Sequence, residues 1–343
     1  MFKSNQPYAI FMEGSMNEDH GKMGFGVMRY TQHPVSCVID STQAGKTVLQ
    51  ACGQPFDVPV VVSVKEAHAM GAKILVLGTA PSGGKFPESW VSSIEEGMSL
   101  GMSLINGLHD NLEQRFGHLI TSNNQKIWDV RIPKISPPIG TAKAADTNNK
   151  RVLMVGTDMA VGKMTTGLEL YKWLREKGVK ASFIATGQIG ITVTGKGIPL
   201  DAIKIDQAAG AVETVVVAEK ESDVVIIEGQ GSLLNPGSTA TLPLMRGSCP
   251  THLILCHQAG KTHVKKLDYV KIPPLDEFIA LNEAVVSVCG SFAKAKTIGV
   301  AVNTYGLSEE DAAQVIRDIE KQTGLPATDV IRYGVEKLGN QLI

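Results

Sequence analysis

Val152-Leu153-Met154-Val155-Gly156-Thr157-Asp158-Met159-Ala160-Val161-Gly162-Lys163-Met164-Thr165-Thr166 decides the fold of this chain. Four apolar residues run into Gly156, as a buried strand does. From Gly162-Lys163 onward, Leu168, Leu170, Tyr171 and Leu174 recur at helical spacing as far as Lys177-Gly178. Strand, glycine-bounded loop and helix in that order make a phosphate cradle. The helix N-terminus offers free N–H groups, Gly156 and Gly162 let the backbone approach closely, and Lys163 adds a charge. Two departures from the common P-loop stand out. Five residues separate Gly156 from Gly162, where four are usual. Met164 replaces the Ser or Thr that normally ligates Mg²⁺, and a thioether is a poor ligand for that ion. Thr165 and Thr166 are the hydroxyls left nearby. Thr157, Gly162, Lys163, Met164, Thr165 and Thr166 are thus expected around a bound phosphate.

Working outward, Lys180–Thr186 is a strand that ends in Gly187-Gln188. Asp206–Glu221 is a helix. Asp223-Val-Val-Ile-Ile-Glu228 is four aliphatics ending in an acid, like a Walker B strand, followed by Gly229-Gln230-Gly231. Thr297–Val302 is a further strand, and Asn303 at its end is placed to read a nucleobase. Ser308-Glu-Glu-Asp311 opens a helix that Gly324 stops.

In the first half, short apolar runs at 8–12, 35–39, 58–62 and 73–77 alternate with helical or polar segments. That alternation predicts a parallel sheet. The expected fold class is α/β, with two parallel-sheet domains: residues 1–135, a Pro- and Asn-rich linker at 136–150, and 151–343. Polar residues stand at three strand ends of the first domain, where α/β sheets bind ligands. They are Gly83-Gly84-Lys85, His109-Asp110 and Asp129-Val-Arg131. Each alone reads equally well as a turn, a capped helix or a surface ion pair.

Composition narrows the classes. The 343 residues are 43% hydrophobic and 20% charged, with a net charge of −1. A globular core can form, and no basic footprint for nucleic acid or membrane appears. Five cysteines without C-x-x-C spacing fit a reducing cytoplasm and give no metal site. No signal peptide and no apolar run long enough to cross a bilayer is evident.

Gly156-Thr-Asp158 with Val161-Gly162-Lys163 is similar to the longer P-loop of dethiobiotin synthetase. The fuller resemblance, over nearly the whole chain, is to the D-glutamate N-acetyltransferase (DgcN) family. Its members pair a Rossmann-like N-terminal domain with a P-loop NTPase-like C-terminal one. The resemblance is carried by Ala80-Pro-Ser-Gly83-Gly84, Gly107-Leu-His109-Asp110, Asp129-Val-Arg131 and the P-loop. It continues in Ala185-Thr-Gly-Gln188-Ile-Gly190, Glu228-Gly-Gln-Gly-Ser-Leu233 and Leu325-Pro-Ala-Thr-Asp329. Glu13–Lys22 departs from the family pattern.

The resemblance implies acetyl transfer from acetyl-CoA to the amine of D-glutamate, with no metal. Glu228 is the first choice of base, ahead of Asp158 and Asp206. The turns at Gly187-Gln188 and Gly229-Gln230-Gly231 are candidate oxyanion donors. Lys85, Arg131 and Arg332 are the candidate cationic forks for the substrate carboxylates, with Gly83, Gly84, His109, Gln188 and Gln230 beside them. A homo-oligomer is expected. Two other classes remain: an ATP- and Mg²⁺-dependent ligase or kinase of the dethiobiotin-synthetase type, and a nucleotide-gated regulatory protein.

Overall fold

The computed structural model describes residues 2–17, 19–79, 81, 83–133 and 136–343. Ala80 and Ser82 of the first family motif, and Glu18 of the divergent opening, lie outside them. The chain divides into two compact units, one of residues 1–134 with 188–202, the other of 135–187 with 203–343.

The first unit runs β1 (Tyr8–Phe11), α1 (Lys22–Tyr30), β2 (Val35–Ile39), α2 (Val48–Cys52), β3 (Val60–Val61), α3 (Val64–Ala69), β4 (Ile74–Leu77), α4 (Val91–Ser99), β5 (Ser103–Asn106), α5 (Leu112–Phe116) and β6 (Ile127–Asp129). The strands form one parallel sheet in the order β3-β2-β1-β4-β5-β6. Crossovers leave β1 in opposite directions, so the Rossmann-type switch point lies between β1 and β4. Strands β1, β4 and β5 are wholly buried, as strands covered on both faces must be. Ala9, Phe11, Leu75 and Leu77 share one core cluster with Val64, Trp90, Ile94 and Phe116. Gly24 of α1 donates to the carbonyl of Gly78 at 2.7 Å. A Cβ on Gly78 would lie 3.0 Å from the Gly24 Cα, so α1 reaches the end of β4 only because both residues are glycine.

The second unit runs β7 (Lys150–Gly156), α6 (Lys163–Glu176) and β8 (Ala181–Ile184). The chain then enters the first unit with α7 (Gln188–Thr194) and a 3-10 turn at Leu200–Ala202. It resumes with α8 (Ile205–Ala218), β9 (Val224–Ile227), α9 (Thr241–Ser248), β10 (His252–Gln258), the hairpin strands β11 (His263–Val264) and β12 (Leu267–Lys271), α10 (Leu275–Ser287), β13 (Lys296–Asn303), α11 (Glu309–Thr323), β14 (Ala327–Thr328) and α12 (Glu336–Gly339). The parallel order β14-β13-β10-β7-β9-β8 puts β7 inside the sheet, with β9 and β10 as its neighbours. Among the described residues no helix is long and apolar enough to cross a membrane.

The stretch expected as a linker is packed. The buried Glu213 carboxylate accepts from Thr141 N at 2.9 Å, Thr141 Oγ1 at 2.8 Å and Lys143 N at 3.0 Å. Its prolines and small residues suit a tight run over α8, where Gly140 meets Ala209 and Gly210. The segment after β8, read from sequence as a turn, is α7. Gly107 of the first unit leaves room for Gln188, whose Cγ would lie 3.4 Å from a Cβ there.

Candidate functional site

The chemistry of the second unit gathers at the carboxyl end of β7. Gly162, at φ 108°, ends the loop and opens α6 without a side-chain cap, so the first N–H groups of that helix have no side-chain partner there. Lys163 lies beneath the loop, buried, and its Nζ donates to the Asp158 carbonyl at 2.7 Å. Two glycines make that burial possible. A Cβ on Gly156 would stand 3.0 Å from the Lys163 Nζ, and one on Gly229 would stand 2.9 Å from its Cδ. Burial pushes the Lys163 ammonium down to about 8, against the pull of nearby acidic groups.

Glu228 follows β9, next to β7 in the sheet. Its carboxylate accepts from Thr186 N at 2.8 Å and Gly187 N at 3.2 Å. Burial raises it to about 7, even though those two N–H groups and the Lys163 charge favour its ionised form. Thr186 and Gly187 thereby spend their N–H groups on Glu228. The Gly187-Gln188 turn therefore does not offer the Gly187 donor to an oxyanion. Of the two turns expected in that role, Gly229-Gln230-Gly231 is left.

Asp158 is fully buried and has a different task from a base. It accepts from Met159 N and Lys265 N at 2.7 Å, Lys261 Nζ at 2.7 Å and Asn235 Nδ2 at 2.9 Å. Burial raises its pKa, but these four donors outweigh that and hold it at about 2. So weak a base suits anchoring, and Asp158 fastens the loop to the β11–β12 hairpin. Sequence reasoning missed Asn235, Lys261 and Lys265. The available signal was Gly260-Lys261-Thr262 just beyond a buried strand.

The other loop residues divide. Thr157 Oγ1 lies 3.0 Å from His257 Nδ1, and burial together with Lys261 pushes His257 down to about 4, so that ring is neutral. Thr166 is buried and accepts from Cys256 Sγ at 3.7 Å, which places it in the core under the loop. Met164 and Thr165 stay half-buried. Asn303 ends β13, beside β10, and its Oδ1 accepts from Tyr305 N at 3.0 Å. Asp206 sits exposed in the first turn of α8, where an acid complements the helix N-terminus. Arg332 is spent on the surface, donating to Glu309 Oε2 at 2.8 Å and the Leu307 carbonyl at 2.9 Å.

In the first unit the three polar strand ends do come together. His109 N donates to the Gly84 carbonyl at 2.9 Å, and Phe86 N to Asp110 Oδ2 at 2.7 Å. Gly83 and Gly84 both have positive φ, and a side chain on Gly84 would overlap the His109 ring. Arg131 Nη1 lies 2.7 Å from His109 Nε2 and also pairs with Asp201 Oδ2. Asp129, in the same motif, is structural: it accepts from Leu112 N and Glu113 N at the start of α5 and from Asn106 Nδ2. Lys85 is exposed.

A parallel sheet with a Rossmann-type order and a second one carrying the glycine-bounded loop define a two-unit α/β protein. Family models agree. A Rossmann-like domain of unknown function (DUF1611_N) matches residues 41–133, and a P-loop domain of unknown function (DUF1611_C) matches 138–339. The chain belongs to the DUF1611 family. It is 42% identical to a DUF1611 family protein from Anabaena variabilis of known crystal structure, with a TM-score of 0.94 over 98% of this chain and 99% of that one. Two curated relatives bear the name D-glutamate N-acetyltransferase. One, from Tritonibacter scottomollicae, is 34% identical over 98% of both chains. The other, from a Pseudoalteromonas species, is 33% identical over 97% of both.

Proposed function

We propose that this chain is an amino-acid N-acetyltransferase that moves the acetyl group of acetyl-CoA to the amine of D-glutamate. The names of the full-length relatives support the reaction class. The observation that carries the mechanism is Glu228, a buried carboxyl raised to about 7 next to a phosphate loop. A base near the working pH is what amine deprotonation calls for. The CoA pyrophosphate lies against the N-terminus of α6 with Lys163, and Asn303 lies toward the adenine. Glu228 takes a proton from the substrate ammonium. The freed amine attacks the thioester carbonyl, a C–N bond forms, and the tetrahedral oxyanion is held by N–H groups of the Gly229-Gln230-Gly231 turn. Collapse breaks the C–S bond, the departing thiolate recovers a proton from Glu228, and the new amide nitrogen releases its second proton to water. The substrate carboxylates call for a cationic fork. Acetyl-CoA as donor implies a cytoplasmic reaction.

No step needs a metal, so thiol release from acetyl-CoA with D-glutamate should proceed fully in excess EDTA. Lys163→Ala should weaken acetyl-CoA binding by about 1.5–3 kcal/mol, the worth of a charged hydrogen bond. Mass spectrometry identifies the product, and calorimetry the affinity. Product formed only with ATP and Mg²⁺ would replace this reading with the ligase of the dethiobiotin-synthetase type.

A further inference from the structure

The hydrogen bonds that Arg131 makes to described residues all run through Nη1. They go to His109 Nε2 and to Asp201 Oδ2. Its Nε is buried with no hydrogen-bond partner among the described residues. Arginine has only donors to offer, so a buried free Nε–H is a cost that a ligand acceptor would remove. The side chain of Arg131 is 12% exposed, whereas that of Asp201 is 45% exposed. Asp201 sits on a three-residue 3-10 turn, within the 188–202 segment that the second half of the chain lends to the first unit. The segment carries another buried polar atom without a partner, Thr192 Oγ1, and the first unit has two more, Asp40 Oδ2 and Thr79 Oγ1. Four of the five such atoms among the described residues therefore belong to this unit. Buried polar atoms left unpaired in a native fold call for a missing partner.

We infer that the Arg131 guanidinium is the carboxylate fork of a small-molecule site in the first unit, and that Asp201 is an internal carboxylate which the ligand displaces. His109, itself held by Gly84, fixes the arginine at Nη1, and the edge that carries the buried Nε opens to a ligand only when Asp201 swings off that same nitrogen. A ligand carboxylate gains two parallel N–H bonds on that edge. A half-exposed acid on a short turn holds a single nitrogen, in the class of ion pairs that contribute little. The exchange therefore favours the ligand, and the 188–202 segment loses its tie to Arg131 when the site fills. Identifying the ligand as the acceptor amino acid rests on the transferase reading; the carboxylate chemistry does not.

The test uses the full-length protein and glutarate, a plain dicarboxylate with no amine, alongside D-glutamate. Calorimetry gives the affinity and amide hydrogen exchange follows residues 188–202. Asp201→Asn should bind both probes about three- to tenfold more tightly, because the competing charge is gone. Arg131→Gln should abolish binding, and Arg131→Lys should restore only part of it. Wild-type exchange across 188–202 should rise with glutarate and stay unchanged in Arg131→Gln. Equal or weaker binding by Asp201→Asn, undiminished binding by Arg131→Gln, unchanged or slower exchange in the wild type, or no binding of either probe to wild type and Asp201→Asn, would each overturn the inference. If glutarate behaves as expected while no acetyl transfer is found, the transferase reading fails and this one stands.

Discussion

Glu228 and Lys163 are buried under one loop, and burial moves them in opposite directions, Glu228 up to about 7 and Lys163 down to about 8. The consequence for Glu228 is unusual for a carboxylate. Between its ordinary value of 4.5 and about 7 the folded chain holds a proton that the unfolded chain has lost. Its contribution to stability is thus fully present below pH 4.5 and is lost as the pH rises through 7. The amount is on the order of 3 kcal/mol. Glu228→Gln should flatten this part of the profile, which urea unfolding at pH 5 and pH 8 would detect. If Glu228 is the base, the same variant should lose roughly 10²–10⁴-fold in rate, and the wild-type rate should climb as pH passes 7. A near-normal rate for the variant would remove Glu228 from the chemistry. Glu228 was legible because four aliphatics that end in an acid and a glycine turn mark a buried strand stopping at a polar site. Asn235 and Lys261 were not, since Lys261 stands 103 residues from the Asp158 it pairs with. Arg332 shows the reverse limit, for a cation near a strand end looks the same in sequence whether it awaits a substrate or is already tied to Glu309.

At the scale of elements, the long apolar strands and the capped helix α11 were readable because local signals and burial agree there. Ser308 accepts from Asp311 N, and Gly324 closes the helix in the left-handed region, as the residue types foretold. Helix α7 was not readable. Its Ile-Gly-Ile-Thr-Val-Thr run favours a strand on local propensity, and packing against α1 decides otherwise. The β11–β12 hairpin was also hidden, because its anchor lies in the loop rather than in its own residues. Lys261 Nζ and Lys265 N both meet Asp158 Oδ2. Asp158→Asn turns one oxygen into an amide that cannot accept from two donors, so it should cost about 1.5–3 kcal/mol. The Lys265 amide should then exchange faster. In the wild type this contribution is present above pH 3.8 and fades as the pH falls through about 2, because the folded pKa is depressed. Unchanged protection of the Lys265 amide in the variant would show that other contacts hold the hairpin.

At the scale of the whole chain, the first unit is not the first stretch of sequence. Residues 188–202 belong to it, although they follow the P-loop, α6 and β8. Ile191, Ile198 and Leu200 of that segment are all buried. Three such side chains correspond to about 5 kcal/mol of apolar burial at the lower end of the usual range, which is a large share of the stability of a domain this size. A composition shift near Pro133 marks where the chain leaves the first unit, but no local signal marks its return at Gln188, since the contact is made by tertiary packing alone. A fragment of residues 1–134 should therefore melt well below the same fragment joined through a flexible linker to residues 188–202. The difference should be on the order of 10 °C or more, given about 4–8 °C per kcal/mol for domains of 60–100 residues and somewhat less above that size. Circular dichroism melts of the two proteins measure it, and dye binding to exposed apolar surface should be stronger for the shorter one. Equal midpoints would mean that the 188–202 segment rests on the first unit without supporting it.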